Sequence, residues 1–457
     1  MRRVAPVAVR GHFGSVGGGR SLVSRGWWPG FGCLGAGGGP RYSSGLRAPD
    51  RRGARRVRGR VHRGGNGLMV DFRRPDYDTP RVLRHVDLML PVLALVTAGI
   101  GVLMVYSATR GPATDLRPAE TFFFGRQVRM VGVGAVAMAL AAWFGHRRLE
   151  RMIWLVHGVT LVALAAVLVF GNEVKGSRSW FQVADNQFQP SELGKVALIV
   201  VLAAWLGRTE TPTIPRALMT VLLAAGPVVL IVLQPDLGTV LVYGAIVAGM
   251  VFVGGLKGRH LLILGLLLVS GVVLVLESEV LEDYQVRRLL VFVDEETNTA
   301  ASYNLEQAEV AIGNGGLTGR GLFQGTQNNS ALVPEQQTDF IFTVVAEETG
   351  FVGSSVVLGL VGLLLLRVWR IGQMADDRFG MLLSAGVFSM VSFQVFQSVG
   401  MSTGIMPITG IPFPLVSYGG SSLLANCLAL GLVQSVHMRR HEAIGRRPEP
   451  PRRDQRA

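Results

Sequence analysis

Ten apolar runs, each long enough to cross the hydrocarbon core of a bilayer, occupy most of the chain beyond residue 85. They fall near 86–107, 126–144, 152–170, 191–206, 216–234, 238–255, 260–276, 339–366, 380–401 and 421–438. Spanning requires about 20 apolar residues in a helix. In lipid every backbone polar group must find a partner within the protein, which leaves helices or closed barrels. Runs of this length fit helices and are far longer than barrel strands of roughly 10 residues. The chain therefore reads as an all-α polytopic membrane protein of ten transmembrane helices. Composition agrees: hydrophobic residues make up 49% and charged residues 17%, with mean hydropathy +0.38.

Charge orients the spans. Segments 145–151, 207–216, 255–260 and 367–378 are basic and fall on one side of a ten-span frame, together with both termini. The positive-inside rule makes that side cytoplasmic. The other side receives short or neutral connections and one large extracytoplasmic loop, 277–338, with ten acids against three arginines. Loops of that length usually carry function. This one holds an expected helix at 301–312 and then GNGGLTGRGLFQG, whose glycines permit tight turns and close approach. It has no GK[ST] and no preceding strand, which argues against a nucleotide site. The expected location is a bacterial plasma membrane, crossed several times, with N- and C-termini cytoplasmic.

The net charge of +14 belongs to the N-terminus, because residues 1–67 hold fourteen arginines against one acid, Asp50. Residues 1–80 are rich in Gly and Arg, cannot bury a core, and are expected to be a disordered cytoplasmic tail. Anionic lipid or nucleic acid could be bound electrostatically by such a tail. No motif spacing supports nucleic acid, and none is expected as a partner. A solvated tether, or an over-extended start with translation beginning at Met69, is favoured. The membrane domain runs 85–438, followed by a basic cytoplasmic tail at 439–457. With no apolar signal region in the N-terminal tail, the first span is expected to serve as an uncleaved anchor. Cys33 and Cys427, one in a tail and one in a span, are not expected to pair.

Four polar clusters sit at the outer boundary. KGSRSWFQVADNQFQPSELGK contains Lys175, Arg178, Glu192 and Lys195, the last two sharing a helix face at i, i+3. LQPDLGT places Asp236 in a short connection, and PEQQTDFIFTVVAEE carries Asp339 ahead of Glu347 and Glu348. TGIMPITGIPFPLVSYGGSS, with three prolines and no charge, suits irregular backbone packed inside protein. Each has a plain reading. Glu192–Lys195 suits a structural ion pair, Asp236 and Asp339 suit helix caps, and Glu347 and Glu348 suit packing or hydrogen bonding. The functional reading is that ionisable groups at membrane depth are costly and are kept for a task.

In order along 85–438, QPSELGK, QPDLGT, GNGGLTGRG…GTQ…PEQQTDFIFTVVAEETG and GIPFPLVSYGGSS resemble the SEDS family of cell-wall polymerases, which includes RodA, FtsW and sporulation homologues. GTQ and PITGIPFPLVSYGG are closer to the RodA branch. The resemblance implies a peptidoglycan glycosyltransferase joining lipid II units at the outer membrane face during elongation or division. It implies a class B penicillin-binding protein, membrane lipid and other elongation or division machinery as partners. Asp339 matches the family's essential aspartate, while Asp236, Glu192 and Lys195 match sensitive positions. In such a reaction a carboxylate can take the proton of the attacking sugar hydroxyl. Cations or amide donors must stabilise the departing diphosphate; Lys195, Arg178 and Lys175 are the candidate cations. No motif demands a cofactor, and a divalent cation is the one the diphosphate chemistry would accommodate. VFVDEETNTAASYN departs from the family by lacking a proline after Asp294. The alternatives are a lipid II transporter (flippase), whose polar groups should reach both faces, and a non-catalytic scaffold.

Overall fold

The structure, a computed structural model, describes residues 86–110, 119–174, 177–183, 186–209, 214–256, 299–329 and 333–440, with isolated positions between 258 and 270. Both tails, most of the run at 260–276, and 277–298 of the large loop lie outside them. The helices are α1 (Met89–Ala108), α2 (Ala119–Phe144), α3 (His146–Arg151), α4 (Ile153–Phe170), α5 (Pro190–Leu206), α6 (Ile214–Val232), α7 (Leu237–Val253), α8 (Thr299–Gly315), α9 (Thr326–Asn329), α10 (Ile341–Gln373), α11 (Arg378–Ser402) and α12 (Gly420–Met438). Seven helices among the described residues are long and apolar enough to cross a membrane, and α7 is a shorter apolar helix. With the 17-residue α5, the described helices match nine of the ten runs. α8 covers the helix expected at 301–312 and extends beyond it at both ends.

The all-α expectation fails at one place. Between α4 and α5 the chain forms a three-stranded antiparallel sheet of β1 (Asn172–Val174), β2 (Ser177–Val183) and β3 (Asn186–Phe188). Phe181 pairs with Phe188 and Val183 with Asn186. β1 and β3, of three residues each, are too short to show an alternating pattern, and β2, SRSWFQV, does not alternate apolar with polar.

Burial sorts the helices by role. α12 is 89% buried across its span and α4 only 17%, so α12 is the axis of the bundle and α4 its lipid-facing edge. The side-chain amides of α12 find carbonyl acceptors inside the bundle: Asn426 donates to the Ser422 carbonyl at 2.9 Å. Gln434 donates to the Asp87 carbonyl at 3.1 Å.

At the end of the bundle where α2 and α12 finish, charged groups knot the helix ends together. Asp377 caps α11, accepting from the Gly380 amide at 2.7 Å, and pairs with Arg147 at 3.2 Å. Buried His146 lies 3.9 Å from the same carboxylate and contacts Ser435 through Nδ1 at 2.9 Å. Arg367 pairs with Asp87 at 2.6 Å. Burial pushes the Asp377 carboxyl up, but the His146 imidazole, the Gly380 amide and Arg147 outweigh it and bring it down to about 2. Asp377→Ala is expected to lower stability by about 1 kcal/mol, read by thermal unfolding in detergent. A depressed folded-state pKa means this contribution is complete above about pH 4 and is lost as pH falls toward about 2. The gap between wild type and variant should close on acidification.

Candidate active site

Four stretches of irregular or helix-starting backbone meet at the opposite end, around a cavity of about 720 Å³. Glu192, Lys195, Asp236 and Asp339 all line it, although they come from three separate motifs.

α5 begins with Pro190, which suits a first helical position because its missing N–H would be unpaired there in any case. Glu192 follows in the first turn, where the helix dipole favours an acid. Its Oε1 accepts from Lys195 Nζ at 2.6 Å, and the two side chains are 5% and 1% exposed. Tyr243 of α7, fully buried, donates to the Ser191 carbonyl at 3.1 Å and fixes this turn from below.

Asp236 does cap α7, accepting from the Thr239 amide at 3.0 Å. Its other oxygen accepts from Gln189 Nε2 at 2.8 Å, which ties the start of α7 to the start of α5. Burial raises the Asp236 carboxyl above the usual range, with Thr239 and Lys195 opposing and Glu192 adding to the rise. The capping role and the cavity position are therefore both real for this residue.

Asp339 does not cap α10. The N-cap position is Phe340, and no side chain supplies a cap bond there. Asp339 instead sits in a turn closed by the Glu335 carbonyl, which accepts from the Thr338 and Asp339 amides at 3.1 and 3.0 Å. The turn is fixed from two sides. Gln336 donates to the Ala108 carbonyl of α1 at 2.7 Å, and the Tyr418 amide donates to the Gln337 carbonyl at 2.9 Å.

The proline-rich segment between α11 and α12 is irregular and packed inside, as its sequence led one to expect. Side chains satisfy its backbone: Gln397 donates to the Pro407 carbonyl at 2.9 Å, and the Phe413 amide donates to Ser417 Oγ at 2.8 Å. Gly410 faces Asp339 so closely that a β-carbon there would lie 3.4 Å from Oδ2.

The cation assignment needs revision. Arg178 is not on the cavity wall; it pairs with Glu173 at 3.4 Å, both side chains exposed. Its strand neighbours Ser177, Ser179, Trp180 and Gln182 do line the cavity, whereas the Arg178 side chain turns to solvent and Glu173. Lys175 lies outside the described residues. Arg126 of α2 lines the cavity instead, stacked 5.3 Å from the Phe122 ring and interacting with Tyr418. The signal for it was an arginine at the mouth of an apolar run, in TFFFGRQVR. Glu335 is a fourth carboxylate on the wall, beside Glu192, Asp236 and Asp339. Among the described residues, no three acids, histidines or cysteines cluster to hold a metal ion. Glu192 and Asp236 are already engaged by Lys195 and Gln189, so these residues do not form a ready cation cage.

The membrane-crossing helices make this a multi-pass plasma membrane protein, with a polar, partly charged cavity inside the bundle. The chain belongs to the FtsW, RodA and SpoVE family, whose profile, described as "Cell cycle protein", matches residues 87–442. It is 33% identical over 358 residues to the peptidoglycan glycosyltransferase MrdB of Escherichia coli K12, covering 78% of this chain and 94% of the relative. It is 36% identical to the stage V sporulation protein E of Bacillus subtilis, covering 77% and 96%. Among solved structures it is similar to a chain from work on polymerization and crosslinking by a peptidoglycan synthase complex. That match has a TM-score of 0.67 and 34% identity, covering 78% of this chain and 99% of the other. The rod shape determining protein RodA of Thermus thermophilus matches with TM-score 0.58 and 33% identity, covering 78% and 98%.

The ion pair in the cavity gives a stability test. Lys195→Met keeps the stem but leaves Glu192 buried with its charge uncompensated, at an expected cost of about 3 kcal/mol or more. Adding Glu192→Gln should recover part of that loss. Thermal unfolding of the single and double variants in one detergent measures both.

Proposed function

We propose that the chain is a peptidoglycan glycosyltransferase that polymerises lipid II into glycan strands at the outer face of the plasma membrane, in cell elongation or division. The observation that carries this reading is the convergence of Asp339, Asp236, Glu192 and Lys195 on one cavity. The relatives named as peptidoglycan glycosyltransferases support the same activity. In this reading the chain has ten spans with both termini cytoplasmic, and the cavity then opens at the outer boundary. A class B penicillin-binding protein is the transpeptidase that would cross-link the product, in keeping with the synthase complex among the structural neighbours.

The residues divide the chemistry by type. The sugar hydroxyl of the acceptor attacks the anomeric carbon of the donor, forming the glycosidic C–O bond as the bond to the polyprenyl diphosphate breaks. Asp339, held in a turn and not used as a cap, accepts the hydroxyl proton. Lys195 and Arg126 face the cavity and stabilise the charge that develops on the departing diphosphate. Glu192 pairs with Lys195 at 2.6 Å and fixes it in depth. Asp236, bonded by Gln189, braces the floor.

A transporter would need a polar route through both ends. Among the described residues the far end instead holds the Asp87–Arg367 pair and the buried His146 knot, whose charges are engaged with one another, which favours chemistry at one face.

Purified protein with its transpeptidase and lipid II should yield glycan strands on a gel. Asp339→Asn, matched for folding, is expected to lower the rate by about 10²–10⁴-fold. Unimpaired polymerisation by that variant would move the base elsewhere, and strands from neither protein would remove the enzyme reading.

A further inference from the structure

The helix behind Asp339 is spliced. α10 is interrupted at Gly350, whose φ of 65° and ψ of −164° are not helical. In an unbroken helix the amides of Phe351 and Val352 would bond to the carbonyls of Glu347 and Glu348, four residues back. Here all four groups turn to the Gly-rich loop after α8. Phe351 and Val352 donate to the carbonyls of Gly316 and Leu317 at 2.9 and 3.1 Å. The carbonyls of Glu347 and Glu348 accept from the amides of Arg320 and Gly321, both at 3.0 Å. The loop is thus inserted into the helix ladder, with every exchanged bond replaced.

Such an insertion requires very close backbone contact. Gly319 has φ +80°, and a β-carbon there would lie 2.1 Å from the Glu348 carbonyl oxygen. A β-carbon on Gly350 would lie 2.3 Å from the Gly319 amide nitrogen. A second lock comes from the side of the helix. Glu347, 1% exposed, accepts through Oε1 from the Gln327 amide at 2.8 Å and from Thr326 Oγ1 at 3.1 Å. Glu348, equally buried, accepts from Ser107 of α1.

We infer that residues 315–327 hold the half-helix 341–349 in place of the interrupted span, and that Glu347 is a positioning residue for Asp339. The half-helix lies between the Asp339 turn and the break. Its far end is bonded to this loop and to α1, so the loop helps set where Asp339 stands in the cavity. The splice itself is independent of the proposed activity; the consequence for Asp339 rests on the glycosyltransferase reading.

Hydrogen–deuterium exchange and polymerisation kinetics on the full chain in nanodiscs, with its transpeptidase, test both halves. Glu347→Ala and Gly319→Ala attack the splice from opposite sides. Each is expected to speed exchange of amides 339–347 at least tenfold and leave 378–402 unchanged. Each should cut kcat at least tenfold with KM for lipid II unchanged. Glu347→Gln keeps an oxygen able to accept both bonds and should restore most of the rate. Unchanged exchange at 339–347 in both folded variants would overturn the splice as a support. Faster exchange with unchanged kcat would overturn the positioning role. If Glu347→Ala does not fold, Gly319→Ala and Thr326→Val carry the same test. A wild type that makes no strands would remove the proposed activity, while the exchange data would still decide the splice.

Discussion

In a membrane interior, a backbone amide or carbonyl without a partner costs several kcal/mol, and that demand organises this molecule. Wherever the chain leaves helical geometry at depth, another segment must come to it. The Asp339 turn takes partners from α1 and from the segment before α12. That segment takes its own from Gln397 and Ser417. The break in α10 takes four from the Gly-rich loop. Irregular segments therefore gather at one end, and the polar side chains they carry gather with them. The cavity follows from that gathering.

Electrostatics then separates the two ends. At the far end, Asp377, Arg147, Asp87 and Arg367 neutralise one another across helix termini and close the bundle. At the cavity end, Lys195 is buried on the wall and held by Glu192, and Arg126 lines the same wall. Charge consumed across helix ends locks structure. Charge on a cavity wall can meet a ligand, and in the proposed reaction that ligand is a diphosphate.

Much of this was legible in sequence because long apolar runs report helices directly. Nine expected spans recur with ends displaced by a few residues, and QPSELGK, QPDLGT and TDF bring their charged residues to one place. Four features escaped. In the small sheet at 172–188, β1 and β3 have three residues each and leave no pattern, and β2 reads SRSWFQV without alternation. Arg178 was misassigned because its depth was readable but the direction of its side chain was not. Arg126 was passed over because it stood at the edge of a run and looked like a boundary charge. The splice at Gly350 was invisible for a different reason: AEETGFVG reads as continuous helix, and only the partner loop shows that it is not.

The most direct test of the account is a cryo-EM structure of the full chain in nanodiscs with lipid II bound. The account predicts the diphosphate within hydrogen-bond reach, about 3 Å, of Lys195 or Arg126, with a sugar hydroxyl facing Asp339. A head group bound outside this cavity, or held within it away from Asp339 and both cations, would contradict it.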